Sequence, residues 1–287
     1  MTTEWLPSVS VVVVMRNAAA TIGEQLEALS RQDYAGPWEV VLADNGSTDD
    51  SVAVARQWED RLPLRIVDAS ERQGVSFARN TGVAASTGEV IAFCDADDVA
   101  EPDWLRHLIP ALEEFDIVEG AFDMTRLNTV EQRAWRGRNR RHKMGFLPRA
   151  ATANCGLRRS VFDAVGGWSE EYRSGGDVDF SWRAVLAGYR VGKAPDALVH
   201  YRARPDMKSM ALQAYRYGRG HPRLYRNFRS AGMPGKRLRD PIMDLLWLAV
   251  RVPILPFSRA KRGNWVRHVA MICGRIVGSI RARVFYI

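Results

Sequence analysis

The sequence predicts an α/β fold, with a mostly parallel sheet flanked by helices and followed by a basic helical extension. In the first 125 residues, short runs rich in Val and Ile alternate with stretches of helical spacing, and turn residues separate them. Strand–helix–strand repetition at this pitch forms right-handed units with parallel strands. Arg and Lys accumulate after residue 200, which sets the extension apart.

The elements of the predicted sheet follow in chain order. Strands are expected at 9–15, 39–44, 64–67 and 90–94, where brief apolar runs end at turn residues. Helices are expected at 18–31, 48–60 and 76–86, where apolar residues recur three or four positions apart. We expect Asn17 to cap the first helix, and Ser47 or Thr48 to cap the second. Ligands are expected at the carboxyl ends of these strands.

Beyond residue 125 the pattern changes. Residues 127–149 are interpreted as a mobile or acceptor-side loop, because they are polar and poor in strand signals. The loop carries a basic cluster of Arg133, Arg136, Arg138, Arg140, Arg141 and Lys143. Residues 161–198 close the domain, and helical segments follow at about 207–229, 241–257 and 264–286, the middle one broken by Pro253 and Pro256. The predicted domains are therefore 1–205 and 206–287.

Composition and cysteine usage narrow the class of protein. The hydrophobic share of 46% and the charged share of 26% are those of a globular protein. Cys94, Cys155 and Cys273 are widely spaced, which favours a reducing compartment and argues against a zinc site. We find no signal peptide and no run of 18 uncharged apolar residues, so we expect a cytoplasmic protein without a membrane span.

The charge is distributed unevenly along the chain. Residues 1–199 carry 22 Lys and Arg against 30 Asp and Glu, whereas residues 200–287 carry 19 against 3. A basic tail on an acidic body indicates an anionic partner, either a membrane surface or nucleic acid. The alternative is a tail whose charge serves solubility alone.

An acidic motif follows the last predicted strand of the first half. Asp95 and Asp97 lie two residues apart on a turn, where both carboxylates can face one side. Hard oxygen ligands suit a divalent cation such as Mg²⁺ or Mn²⁺, and such a cation would neutralise a departing diphosphate. A solvated acidic turn is the alternative for this motif by itself.

Two companion motifs follow neighbouring elements. Asp44 opens the run DNGSTD and could accept hydrogen bonds from a base or ribose, although this run is also good turn chemistry. Arg79, in the run ARNTG, could bind a phosphate or a base edge. The ordered set of three motifs argues for a nucleotide site more strongly than any one of them.

Taken in order, segments 9–17, 43–49, 73–82 and 88–98 resemble the signatures of family 2 glycosyltransferases, and the resemblance covers roughly residues 7–200. It implies a GT-A fold, a nucleotide-sugar donor, bound Mg²⁺ or Mn²⁺, and an inverting displacement. The donor-binding positions it implies are Met15, Asn17, Asp44, Arg79, Asp95 and Ala96. The implied metal ligands are Asp95 and Asp97. Asn45 and the run Met15-Arg16-Asn17 depart from the usual pattern, which obscures the base specificity.

Inversion also requires a general base for the acceptor hydroxyl. Asp177, in GGDVDFSWR, matches the position of the family's base, although Gly176 replaces the usual glutamate. The other interpretation of Asp177 is a helix cap. Asp179 is the less favoured base and is placed on the acceptor side.

Two further residues follow from the same resemblance. His200 lies where several relatives have a histidine that binds the metal or the diphosphate; the alternative is a structural histidine. Trp168, after Gly166 and Gly167, resembles an acceptor-side turn, and ordinary packing is its alternative.

The last predicted helix is amphipathic. Its apolar face comprises Val266, Val269, Ile272, Cys273, Ile276, Val277, Ile280 and Val284. Its basic face comprises Arg267, His268, Arg275, Arg281 and Arg283. This pattern is typical of an interfacial helix on an anionic membrane, with a helix packed on the protein as the alternative. Residues 242–257 add apolar surface.

The sequence therefore predicts transfer of a hexose-like sugar from a nucleotide diphosphate donor to a lipid-linked or membrane-proximal acceptor. We expect a peripheral protein on the inner face of the cell membrane, with an anionic membrane rather than nucleic acid as partner. A nucleotidyltransferase is disfavoured, because no Gly-rich basic loop follows the first strand. A nucleotide-sugar-binding or nucleic-acid-binding module without transfer activity remains the alternative.

Overall fold

The computed structural model describes residues 5–136 and 145–287, which form two compact units. The first unit comprises Met1–Asp123, Leu147–Glu171 and Gly176–Tyr201, and the second comprises Met124–Phe146, Tyr172–Gly175 and Arg202–Ile287. The domain boundary at residue 205 stays a prediction. Of the predicted basic loop, Arg138, Arg140, Arg141 and Lys143 lie outside the described residues.

Strands and helices alternate through most of the first unit, while the helix at Val130–Arg136 and the last three helices belong to the second. The strands are β1 (Val9–Met15), β2 (Trp38–Asp44), β3 (Leu64–Asp68), β4 (Val90–Asp95), β5 (Val99–Ala100), β6 (Ile117–Asp123), β7 (Asn154–Arg158) and β8 (Val191–His200). The helices are α1 (Ile22–Leu29), α2 (Ser51–Arg56), α3 (Val75–Ala84), α4 (Trp104–Leu108), α5 (Val130–Arg136), α6 (Arg159–Val165), α7 (Gly176–Leu186), α8 (Met207–Phe228), α9 (Arg239–Ala249) and α10 (Arg259–Ala282).

One sheet runs through the first unit in the order β3-β2-β1-β4-β7-β6-β8-β5. The first four strands pair in parallel, as predicted, while β7 pairs antiparallel with β4 and β6, and β5 with β8. The α/β class is therefore confirmed, with a parallel first half and a mixed second half. The carboxyl ends of β1, β2 and β4 meet at one edge, since Met15 is in register with Asp44 and Val14 with Asp95.

Both faces of the sheet are buried. Along β1, Val11 and Val13 belong to one hydrophobic cluster and Val12 to the other, because successive side chains of a strand point to opposite faces. This explains why the strand reads as an uninterrupted apolar run. Helix α3 lies so close to β1 that a Cβ atom on Gly82 would come within 2.6 Å of Val12 Cγ1.

The predicted helix caps are wrong. Helix α1 begins only at Ile22, and its N-cap residue is Thr21. Asn17 instead has a φ of 51° and accepts a hydrogen bond from the Thr48 backbone N–H at 2.8 Å. The Ser47 hydroxyl accepts the Asn17 N–H. Neither Ser47 nor Thr48 caps α2, which begins after Asp50 without a side-chain cap.

The second unit is built on close packing of α8 against α10. A Cβ atom on Gly218 would lie 2.1 Å from the Met271 carbonyl oxygen, and one on Gly274 would lie 2.2 Å from the Tyr215 carbonyl oxygen. Such distances are impossible for a real side chain, so these glycines let the two backbones touch. Among the described residues, no helix combines the length and the hydropathy needed to cross a membrane.

The predicted basic face of the last helix is wrong at two positions. His268 and Arg275 are buried, because α10 turns its glycine-bearing side and these residues inward. Ile276 and Ile280 of the predicted apolar face are exposed. The predicted break in the middle helix is confirmed: α9 ends at Ala249, and a short 3-10 turn containing Pro253 follows.

Candidate active site

Three carboxylates form a cluster where β4 ends. Oxygen atoms of Asp95, Asp97 and Asp98 all lie within 4.8 Å of one another. Asp95 and Asp97 are half-buried, and Asp98 is buried. The sequence analysis did not include Asp98 in the site, because Asp95 and Asp97 already supplied the two carboxylates of the expected metal motif. The arrangement provides hard oxygen ligands for a divalent cation.

The turn that carries this cluster is held by Gln25 of α1, which the sequence analysis missed. The buried side chain of Gln25 donates a hydrogen bond to the Asp95 carbonyl at 3.2 Å and accepts one from the Ala100 N–H at 3.0 Å. The sequence signal that could have identified Gln25 is its position as a polar residue on the apolar face of the first predicted helix. Its amide satisfies backbone groups on both sides of the acidic turn.

Arg79 lies beside the cluster. Its Nη2 atom is 3.9 Å from Asp95 Oδ1, and its side chain is largely buried. The structure thus brings together a cationic group from α3 and the carboxylates after β4, which were 16 or more positions apart in the sequence. A guanidinium at this position can pair with an anionic ligand as well as with Asp95.

Asp44, two strands away, is engaged with its own turn. Its carboxylate accepts hydrogen bonds from the Ser47 N–H at 3.2 Å and the Ser47 hydroxyl at 2.5 Å. The Asn17 N–H donates to the same hydroxyl oxygen at 3.0 Å, so the loops after β1 and β2 are tied together. Asp44 and Asn17 therefore share one loop cluster at the sheet edge, and their donor contacts stay predictions.

Met15 and Ala96 occupy less open positions. The Met15 side chain is fully buried in the core, and its carbonyl accepts the Asn45 N–H at 2.8 Å. Ala96 is buried within the acidic turn. The structure gives Met15 a packing role, and donor contacts of both residues stay predictions.

Asn45, the departure from the usual aspartate, has a structural reason. Its buried amide donates to the carbonyl oxygens of Ala69 at 2.5 Å and Arg72 at 2.8 Å, and its Oδ1 accepts the Gly74 N–H at 2.9 Å. A carboxylate could not donate either of the first two bonds. Asn45 thus anchors the loop that leads into α3 and Arg79.

Asn45→Asp is therefore expected to destabilise the protein by about 1–3 kcal/mol, because it places a buried carboxylate against two carbonyl oxygens. Denaturant unfolding monitored by fluorescence measures the change. The apparent KM for the donor should rise as well, since the loop before Arg79 loosens. An unchanged unfolding midpoint would contradict the anchoring role.

Asp177 lies in the first turn of α7 and is partly open to solvent. Arg149 Nη1 is 3.8 Å from its Oδ2 atom, and its backbone carbonyl accepts the Ser181 hydroxyl at 2.7 Å. Burial raises the pKa of the Cys155 thiol, and the charges of Arg79 and Asp177 act on the same thiol. Cys155, on β7, is paired with Phe93 of β4.

Asp179 and Trp168 are committed to packing. Asp179 is buried, and its Oδ2 accepts a hydrogen bond from Arg183 Nε at 2.8 Å, while Arg183 also donates to the Gly167 carbonyl at 2.7 Å. Trp168 is buried and stacks on Phe180 with ring centroids 4.3 Å apart. These contacts support the packing interpretation of Trp168, and the acceptor-side roles of both residues stay predictions.

His200 ends β8 and lies between two carboxylates that the sequence analysis did not single out. Its Nδ1 atom is 2.8 Å from Asp123 Oδ2, and its Nε2 atom contacts Glu101 Oε1. The register places His200 opposite Val99, next to Asp98. The histidine is thus one strand from the acidic cluster, but its ring is held by Asp123 and Glu101, and its metal role stays a prediction.

Cys94 directly precedes the acidic cluster and is fully enclosed. Burial raises the pKa of its thiol far above the ordinary value, and the charges of Asp95 and Asp98 raise it further. The thiol therefore stays neutral, which agrees with the interpretation of Cys94 as a small buried apolar residue.

Comparisons with known proteins identify the family. Residues 10–166 match the model for glycosyl transferase family 2, and residues 90–273 match that for glycosyl transferase family group 2. A curated relative, glycosyltransferase AglE of Haloferax volcanii, is 34% identical over an alignment of 233 residues, and the match covers 78% of this chain and 76% of the relative. The chain belongs to glycosyl transferase family 2, and the predicted resemblance is confirmed.

Two solved structures share the fold. The mannosyltransferase PcManGT from Pyrobaculum calidifontis, in complex with GDP-Man and Mn²⁺, has a TM-score of 0.70 at 22% identity, covering 96% of this chain and 88% of its own. TarS 1–349 from S. aureus, in complex with UDP-GlcNAc, has a TM-score of 0.57 at 19% identity, covering 98% and 93%. These likenesses confirm the predicted GT-A fold with a helical C-terminal region. Membership of glycosyl transferase family 2, together with the similarity to AglE, shows that the chain is a glycosyltransferase.

Proposed function

We propose that this glycosyltransferase moves a hexose-like sugar from a nucleotide diphosphate donor onto a lipid-linked or other membrane-proximal acceptor, with inversion at the anomeric carbon. The observation that carries the proposal is the cluster of Asp95, Asp97 and Asp98 beside Arg79. Family membership and the ligands of the two neighbouring structures, GDP-Man and UDP-GlcNAc, support a nucleotide sugar as substrate.

The residues of the acidic cluster fit a divalent metal, because three carboxylates converge within 4.8 Å. Asp95 and Asp97 would hold Mg²⁺ or Mn²⁺, which supplies positive charge against the diphosphate when bound. Arg79 adds a second positive charge from α3. His200 joins this set only if it exchanges Asp123 or Glu101 for the metal, so we leave it outside the minimal ligand set.

Asp177 is the proposed general base. It is a partly exposed carboxylate at the start of a helix, and Arg149 lies 3.8 Å away, close enough to orient it. Its role is to take the proton of the acceptor hydroxyl as that oxygen attacks the anomeric carbon. The C–O bond to the sugar forms on the face opposite to the departing diphosphate, so the configuration inverts. We also propose that Asp44 and Asn17 contact the nucleoside.

The acceptor and the location follow from the tail. Residues 200–287 have 19 basic against 3 acidic residues, and an anionic membrane surface would complement that excess. We therefore propose a cytoplasmic enzyme that works at the inner face of the cell membrane, where lipid-linked acceptors are present.

A donor screen tests the proposal. Purified protein is incubated with GDP-mannose, UDP-GlcNAc and related donors, with Mn²⁺, Mg²⁺ or EDTA, and with or without a polyprenyl phosphate or polyprenyl-linked sugar. We expect metal-dependent release of nucleotide diphosphate from one donor, faster with an acceptor, and a product of inverted configuration by NMR. Tight donor binding without release under every condition would favour the binding-module alternative.

A further inference from the structure

Helix α9 has its polar and apolar faces reversed relative to a helix of a water-soluble protein. Its outward side carries large apolar residues, continued by the chain on either side of the helix. The exposed apolar residues of this stretch are Leu238, Ile242, Met243, Leu245, Leu246, Val250, Val252, Ile254 and Phe257. Leu238 is 76% exposed, Val250 69% and Phe257 86%. We call residues 238–257 the apolar segment.

The inward side of α9 is polar and aromatic. Asp244 is buried, with Oδ2 at 3.4 Å from Arg275 Nη1 and Oδ1 at 3.4 Å from His268 Nε2, both on α10. Trp247, almost one turn later, packs on the His268 ring with centroids 4.3 Å apart, and Arg251 covers Trp247 at 4.0 Å. These contacts fix which side of α9 faces the unit, so the apolar side cannot turn inward without breaking a buried ion pair.

Charge decides what can cover this apolar surface. Residues 236–262 contain seven basic residues. Lys236, Arg237 and Arg239 lie at the start of the apolar segment, Arg251 lies within it, and Arg259, Lys261 and Arg262 follow its end. The only acidic residues in this range are Asp240 and the buried Asp244. Such an apolar surface between basic flanks complements a bilayer with an anionic surface. The apolar side chains would contact the lipid acyl chains, and the flanking cations would contact the anionic headgroups. A second copy of the chain related by a two-fold axis would oppose like charges across the same patch.

We infer that the apolar segment is the membrane-docking element of this protein, inserting Leu245, Leu246 and Phe257 at the interface of an anionic bilayer while the flanking cations contact lipid phosphates. The inference deepens the proposed membrane-proximal function and rests on it only for the location of the acceptor. The sequence analysis predicted α10 as the docking element. We assign docking instead to α9 and the turn that follows it, because one side of α10 packs against α8.

Vesicle binding of the full chain tests the inference. Vesicles of phosphatidylcholine with about one third phosphatidylglycerol should bind the protein in flotation assays, more strongly than phosphatidylcholine alone, and high salt should weaken binding. Leu245→Glu should lower the partition constant more than about tenfold at low salt, because it puts a charge on the inserted face. Arg237→Gln with Arg239→Gln should weaken binding in a salt-dependent way.

Ile280→Glu is the matched control, since Ile280 is equally apolar, is 72% exposed and lies on α10. It should change binding less than about twofold. If Ile280→Glu abolishes binding and Leu245→Glu does not, α10 is the docking helix and the inference is wrong. Circular dichroism should show all variants folded, because the replaced side chains point to solvent.

A probe placed on the segment reports insertion directly. In a Cys273→Ser background, which removes the exposed free thiol, an environment-sensitive dye at Phe257→Cys should shift to the blue on vesicles, and one at Ile280→Cys should not. An unshifted dye at residue 257 overturns the inference. The inference is also wrong if the protein does not bind vesicles but self-associates, and if Leu245→Glu abolishes that self-association. That result would show that a second copy of the chain covers the apolar segment. Neither assay uses sugar transfer, so these outcomes are independent of the proposed function.

Discussion

Asp177→Asn is expected to lower the rate of sugar transfer by about 100-fold or more while donor affinity stays close to that of the unchanged protein. A positioned general base typically contributes a factor of about 100 to 10,000. Asparagine keeps the shape of the side chain but cannot take the acceptor proton. Steady-state kinetics with the donor found by the screen, together with calorimetric titration of that donor, separate the two effects.

Asp179→Asn is the matched control, because the same change is made two residues away in the same helix. Asp179 is buried against Arg183, so this variant should lose roughly 1–3 kcal/mol of stability but keep most of its turnover at low temperature. If Asp177→Asn transfers sugar at the normal rate, the base is another group. If Asp179→Asn alone is inactive while folded, the two roles must be exchanged.

Asp97→Ala is expected to lower the rate of sugar transfer by about 100-fold or more. The substitution removes a proposed ligand of the divalent metal, whose positive charge would stabilise the leaving diphosphate in the transition state. EDTA should have a comparable effect on the unchanged protein, and added Mn²⁺ or Mg²⁺ should reverse the effect of EDTA but not that of the substitution. Binding of Mn²⁺ followed by electron paramagnetic resonance gives a readout independent of activity.

Asp196→Ala serves as the control for the loss of one carboxylate. Asp196 is exposed on β8, away from the acidic cluster in the sequence, and its removal should leave metal binding and turnover unchanged. The metal mechanism is refuted if EDTA and Asp97→Ala both leave turnover at its normal value. A variant that binds Mn²⁺ normally but is inactive would instead assign Asp97 to the donor.

The sequence determined the first half of the fold because its signals are local. A run such as Val9–Met15 forms a strand from its own β-branched residues, and the alternation with helical spacing predicts parallel pairing. The position of Asp95 and Asp97 at a strand end then followed, since strand ends and turn residues adjoin in the chain. The same locality made the family signatures readable.

The supporting contacts of the site were decided only by the tertiary structure. Gln25 reaches the Asp95 carbonyl across 70 positions, and His200 meets Glu101 across 99. Asn45 looked like a variation in base specificity, yet its amide anchors a loop some 24 to 29 positions away. Sequence periodicity does not reveal the role of such side chains. Their hydrogen-bond partners are distant in the chain and are brought close only by the strand order and register of the folded sheet.

The second unit shows the same division most clearly. Periodicity determined that residues 264–286 form an amphipathic helix, but it could not say which face would be covered. The helix axes of α8 and α10 approach where glycines permit, at Gly218 and Gly274, and this contact buries Arg275 with Asp244 as its partner. The amphipathic pattern states how polar each side of a helix is. Which side faces protein, water or lipid depends on the neighbouring element that packs against it, and only the tertiary structure contains that neighbour.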